Sequence, residues 1–514
     1  MKTPVAAALF ALLALVAYGY HLVHGGFYTD DWANAASYHF ADSPRYFNAV
    51  SEIHQVIGGR PLMALLLPLP HALLGLDPTP HLVLAVLLGV ATAVCLFVLL
   101  RTLEMPSVHA WAIAALALLF PWSDSLRLWP AASLNTISVC FFLVGLTVAL
   151  RGFEHQGRRG TAMHAGASFL YLLSILTYEV TAAAALLAGL LYLGRAPRPV
   201  ELRAWLADVA AVMAGLVYSL TATVSSRHVG TLSERVGDLP DFTHDFLLLV
   251  ASALQPFGTM GRTLQALVLL IAAAVVVVAL LRLRREDDPA LRFWLRWMTI
   301  GLLAVGAAYF MFLGSHLHPL DPGIDNRINV FAGIGVCLLV YAIVACAAHL
   351  ILASRPAATV LALGLVAVIA IGYGTRLASD EADWGDAADR QAEILDGAET
   401  ALTSLPQGST VLSFGAPAQS APGVPVFNRP WDLGGALELR SGGAVTSAYP
   451  VYEGVSVSCE RRLAIDGGGG YGRFDLPYRR LYFGDLEDGV KRVDSPSACA
   501  AALRHLQPGP LEDP

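Results

Sequence analysis

Two adjacent carboxylates, Asp30 and Asp31, follow the first apolar run of the chain, in Phe27-Tyr28-Thr29-Asp30-Asp31-Trp32. A carboxylate in such a place can take a proton from a substrate hydroxyl or hold a divalent cation. The structural alternative is local: Asp30 caps a helix running from Trp32 onward, and the helix dipole favours Asp31. A further acid, Glu179, interrupts an apolar stretch at Tyr178-Glu179. Cationic and imidazole side chains mark other polar breaks. They are Arg60 in Gly59-Arg60-Pro61, Arg127, Arg227 beside His228, His316-Leu317-His318, and Arg327 in Asp325-Asn326-Arg327. A guanidinium binds phosphate in a bidentate fork and stays protonated in a partly dry site. The inventory therefore suits proton removal beside an anion. Arg327 ranks first among the cations because its turn abuts an apolar run. Snorkelling at an interface is the structural alternative for each arginine. His316 and His318 with Asp321 fit neither usual structural zinc framework, and no Cys lies near. Mg²⁺ or Mn²⁺ held by Asp30 and Asp31 is the better metal reading.

The elements that must position these residues are mostly apolar. Of 514 residues, 56% are apolar and only 14% are charged, whereas soluble domains carry about 25% charged residues. A wholly water-soluble enzyme is excluded, and a net charge of −7 gives no basic footprint for nucleic acid. Apolar runs near 4–23, 81–101, 108–121, 133–150, 164–177, 180–194, 204–224, 264–281, 297–315, 328–351 and 357–375 predict about eleven transmembrane helices, each judged against the ~20 residues needed to span a bilayer. The first run is read as an anchor rather than a cleaved signal, because no small-x-small cleavage site follows it.

Basic residues orient the bundle. With the N-terminus cytoplasmic, fourteen lie on the inner side, among them Arg101, Arg151, Arg282, Arg284 and Arg285, and seven in the longer outer loops. Residues 62–76 contain Pro68, Pro70 and His71 and would invert this pattern as a span, so an interfacial helix is expected there. Residues 164–194 preserve the pattern only as two short spans meeting at Tyr178-Glu179. Glu179 then sits below the outer surface, where carboxylates usually line a cavity. Asp30, Asp31, Glu179, Arg327 and the histidines all fall on the outer side. Trp32, Trp122 and Trp129 there are read most plainly as an interfacial aromatic belt.

On these residues the chain resembles the GT-C glycosyltransferases, polytopic enzymes that transfer a sugar from a polyprenyl-phosphate carrier. The acidic pair stands in the first outer loop, just beyond the first span. That loop ends in Gly59-Arg60-Pro61-Leu62 before an interfacial apolar stretch, the next span ends in Leu99-Leu100-Arg101, and a soluble domain follows the last span. The resemblance covers the plan of residues 1–375. It implies that Asp30 is the general base of an inverting transfer, with Asp31 next in line, and that the acceptor is a glycan, lipid or protein. Acceptor motifs of oligosaccharyltransferases are not visible. Arg outnumbers Lys 31 to 2, a bias of GC-rich bacterial genomes, so the expected location is a bacterial plasma membrane. A transporter or flippase of a lipid-linked glycan is the rival. It would more naturally show internal repeats and polar residues near mid-membrane.

Residues 376–514 read as a small extracytoplasmic α+β domain. An amphipathic helix is expected over 380–399, and strands near 410–414, 424–427 and 455–457. Gly467 to Gly470 suits a flexible loop, since no phosphate-loop context surrounds it. Cys459 and Cys499, the only cysteines of this domain, predict a disulfide in an oxidising compartment. Cys95, Cys140, Cys337 and Cys346 fall in spans as small buried hydrophobes.

Overall fold

The structure is a computed structural model that describes residues 1–222, 232–258, 261–315, 317–352, 354–468, 471–486 and 489–512. Among these, seven helices are long and apolar enough to cross a membrane: Pro78–Thr102, Pro130–Gly152, Arg198–Ala222, Arg262–Arg285, Pro289–Phe310, Gly323–Ile351 and Arg355–Leu402. Shorter apolar helices occupy Thr3–Tyr18, Ser107–Leu118 and Glu179–Leu191, where further spans are expected. Proline opens several helices because the first turn needs no N–H donor there. Asp77 and Asp288 cap two of them, bonding the Thr79 and Ala290 amides at 2.9 Å each.

The centre of the bundle is the Asn329–Ile351 helix, almost every residue of which is buried. It crosses Pro289–Phe310 closely enough that a Cβ on Gly335 would lie 2.8 Å from the Gly301 carbonyl oxygen. Small residues allow this approach between helices that have no water to expel. The Arg262–Arg285 helix is peripheral, burying only Ala272 and Ala279 and leaving Leu267, Leu270 and Ile271 exposed. Such a face suits hydrocarbon rather than water.

Residues 61–74 fold as two short helices, Pro61–Leu66 and Pro68–Leu74, together too short to cross ~30 Å. The expected reversal within 164–194 is present. The Arg158–Thr177 helix stops at Tyr178, whose backbone is extended, and the chain doubles back. The Tyr171 and Tyr192 hydroxyls approach to 3.2 Å, whereas a continuous helix would part them by ~30 Å.

The last long helix, Arg355–Leu402, runs unbroken from the bundle into the C-terminal region, so the boundary expected at 375–376 falls inside one rod. The expected 380–399 helix is its second half. Beyond it, one sheet has the spatial order Val445–Pro450, Ser409–Phe414, Leu481–Asp485, Gly489–Val493, the first three strands parallel and the last antiparallel. The Pro430–Arg440 helix makes the crossover between the first two parallel strands. A second antiparallel sheet joins Ser456–Cys459, Leu463–Asp466 and Arg473–Leu476, and the Cys459–Cys499 disulfide is formed. Gly469 and Gly470 lie outside the described residues.

Candidate functional site

The acidic pair opens the Asp30–Phe40 helix rather than capping it from outside. Thr29 immediately before it has φ +38°, a strained conformation for a β-branched residue of the kind that gathers at functional sites. The two aspartates part company here. Asp31 is buried, and its two oxygens accept N–H bonds from Tyr28 at 3.0 Å and Ala131 at 2.8 Å. It ties the first loop to the Pro130–Ser133 turn. Burial nevertheless raises its carboxyl well above the usual range, against the pull of those two amides. With both oxygens so engaged, Asp31 is a positioning residue, and the geometry disfavours an Asp30–Asp31 metal pair. No group of three His, Cys, Asp or Glu suited to a metal ion occurs among the described residues.

Asp30 stays exposed. Its Oδ1 accepts the indole N–H of Trp431 at 2.9 Å. Crowding by surrounding protein raises its carboxyl, while Arg327 foremost, then Trp431, Thr29 and Arg429, pull it down. Arg327 donates to the Ile324 carbonyl at 3.0 Å, lies 3.5 Å from Asp325, and stacks over Trp129 with 5.5 Å to the ring centroid. Its turn is anchored from below. Asn326 donates to Asp124 and accepts from the Ser125 hydroxyl at 2.6 Å. Asn329 donates to the Trp122 and Pro319 carbonyls at 2.6 and 2.9 Å.

The C-terminal region is docked against this loop. Tyr28 donates to the Trp384 carbonyl at 2.7 Å, Trp32 donates to Gln391 at 3.2 Å, and Gln391 donates to Val426 at 2.7 Å. A Cβ on Gly435 would lie 2.5 Å from the Trp32 carbonyl oxygen, so only glycine lets the Pro430–Arg440 helix bring Trp431 to Asp30.

The remaining expected residues divide. Arg60 and Glu179 form a bidentate pair, both bonds 2.9 Å, with the guanidinium 4.2 Å from the centre of the Tyr178 ring. Glu179 is thus engaged in an ion pair at the helix reversal. Arg127 is buried, donating to Tyr18 at 3.1 Å, Ser123 at 3.2 Å and the Phe120 carbonyl at 2.8 Å. It lines a cavity of about 30 Å³, small beside the ~300–1,000 Å³ of ligand sites. His318 stands between Asp245 at 3.2 Å and Asp238 at 3.6 Å of the Leu232–Leu254 helix. Arg227 and His316 lie outside the described residues. Trp431, Arg429 and Thr29 were not singled out in sequence. Trp431 lies 401 residues from Asp30, beyond any local pattern.

No protein-family model matches this chain, and no curated protein is significantly similar to it.

Proposed function

We propose that the chain is an inverting GT-C-type glycosyltransferase that moves a sugar from a polyprenyl-phosphate donor to a glycan, lipid or protein acceptor at the outer face of a bacterial plasma membrane. In this reading the bundle crosses the membrane eleven times, the N-terminus is cytoplasmic and the C-terminal domain is outside. The observation that carries it is the split acidic pair: Asp31 is locked to backbone amides, while Asp30 stays open to solvent in the field of Arg327.

The donor tail occupies hydrocarbon, so its phosphate rests at the interface beside the sugar. Asp30 takes the acceptor hydroxyl proton as the new bond to the anomeric carbon forms, and the bond from that carbon to the phosphate oxygen breaks. Polyprenyl phosphate leaves with the electron pair, and Arg327 balances its growing charge. The reading is tested by incubating the purified chain with a polyprenyl-phosphate sugar and an acceptor mixture. Release of polyprenyl phosphate with inverted product supports it; an intact donor refutes it. Arg327→Ala should raise the donor KM about tenfold, and an unchanged donor KM removes Arg327 from the site.

A further inference from the structure

A groove of about 540 Å³ runs between the Asp30–Phe40 helix and the C-terminal domain, within the ~300–1,000 Å³ range of small-ligand sites. Trp431 links it to Asp30, for this side chain lines the groove and donates its indole N–H to the Asp30 carboxylate. Trp431 is 41% exposed although apolar. Tyr449 and Phe474 form a second aromatic wall, their ring centroids 5.0 Å apart. The groove is also lined by small residues, Ala33, Gly434 and Gly435, and by the hydroxyl-bearing Ser37, Thr446 and Ser447. Flat apolar faces interleaved with hydroxyls match a sugar ring, which presents C–H faces and a polar rim.

The groove carries charge of one sign. Glu52 and Glu438 line it, and among the described residues no Lys, Arg or His does. Burial, then the Glu52 carboxylate, holds Glu438 above the usual carboxylate range, as expected for like charges that face one another without a cation. A ligand ammonium would relieve this repulsion, whereas a ligand carboxylate or phosphate would add to it.

We propose that this groove is the acceptor subsite of the transferase, and that it takes a glycan without anionic groups, bound more tightly when it bears an amino group. This rests on the transferase reading for the word acceptor, while glycan binding itself does not. The test is therefore a binding measurement without donor lipid. The full chain in nanodiscs of uncharged lipid is titrated, by ligand-observed NMR, with cellotetraose, a fully deacetylated chitosan tetramer and tetragalacturonate. The chitosan tetramer should bind about tenfold more tightly than cellotetraose, and tetragalacturonate about tenfold more weakly. Ser447→Trp, which fills the groove, should weaken both of the first two at least tenfold. Glu52→Gln with Glu438→Gln should remove the preference for the amino sugar over cellotetraose. The proposal is overturned if tetragalacturonate equals cellotetraose, if the preference survives the double variant, if no glycan binds, or if a lysine-rich peptide displaces the chitosan tetramer at lower concentration. Binding with no transfer counts against the transferase reading alone; transfer with no glycan binding counts against the groove alone.

Discussion

The indole N–H of Trp431 donates to Asp30 Oδ1 at 2.9 Å, joining the C-terminal domain to the first loop of the bundle. A donor aimed at a carboxylate favours its ionised form, so the bond helps to keep Asp30 a base despite the crowding that raises its pKa. Trp431→Phe preserves the aromatic wall and removes the donor. The acid limb of the activity profile should then move to higher pH, measured as kcat/KM against pH. An unmoved limb would show that the bond only docks the domain.

Arg60 and Glu179 are a positioning pair at the Tyr178 reversal. Each side chain is about one-fifth exposed, so the loss on breaking the pair is smaller than for a fully buried one. Arg60→Ala should lower stability by about 2 kcal/mol, read as a fall in thermal midpoint with donor KM little changed. A tenfold rise in donor KM at unchanged stability would instead place Arg60 on the donor.

Asp432 is expected to make the stability of the domain that carries Trp431 depend on pH. It is fully buried and accepts the Asn428 and Arg429 amides at 3.0 and 3.1 Å, yet burial pushes its carboxyl up to about 7 from 3.8. Between these values the folded chain holds a proton that the unfolded chain releases. Stability therefore falls as pH rises from about 4 to 7. Asp432→Asn should flatten this slope in a series of thermal melts. An identical slope in the variant would assign the dependence to another group.

The long spans were legible because the pattern of apolar runs is itself the physical requirement of a bilayer. The reversal at Tyr178 was legible for a different reason: one long helix there would have split the arginine clusters across two sides. Glu179 is expected from the sequence to line a cavity, whereas in the structure it pairs with Arg60. Asp30 and Asp31 could be located but not told apart. Their difference arises from the Ala131 amide, about a hundred residues away, and from the Pro430–Arg440 helix near the far end of the chain. Nothing periodic records such contacts. Arg127, expected as a phosphate-binding cation at a polar break, lies inside the bundle because Tyr18 and the Phe120 carbonyl satisfy it there.

The central claim is that one carboxylate of the pair is the base and the other a tether. Asp30→Asn and Asp31→Asn, purified side by side and supplied with a polyprenyl-phosphate sugar, separate the two roles. Asp30→Asn should lower kcat by about 10²- to 10⁴-fold with the thermal midpoint unchanged, whereas Asp31→Asn should lower the midpoint and retain measurable turnover in the protein that stays folded. Full turnover by Asp30→Asn would contradict the account.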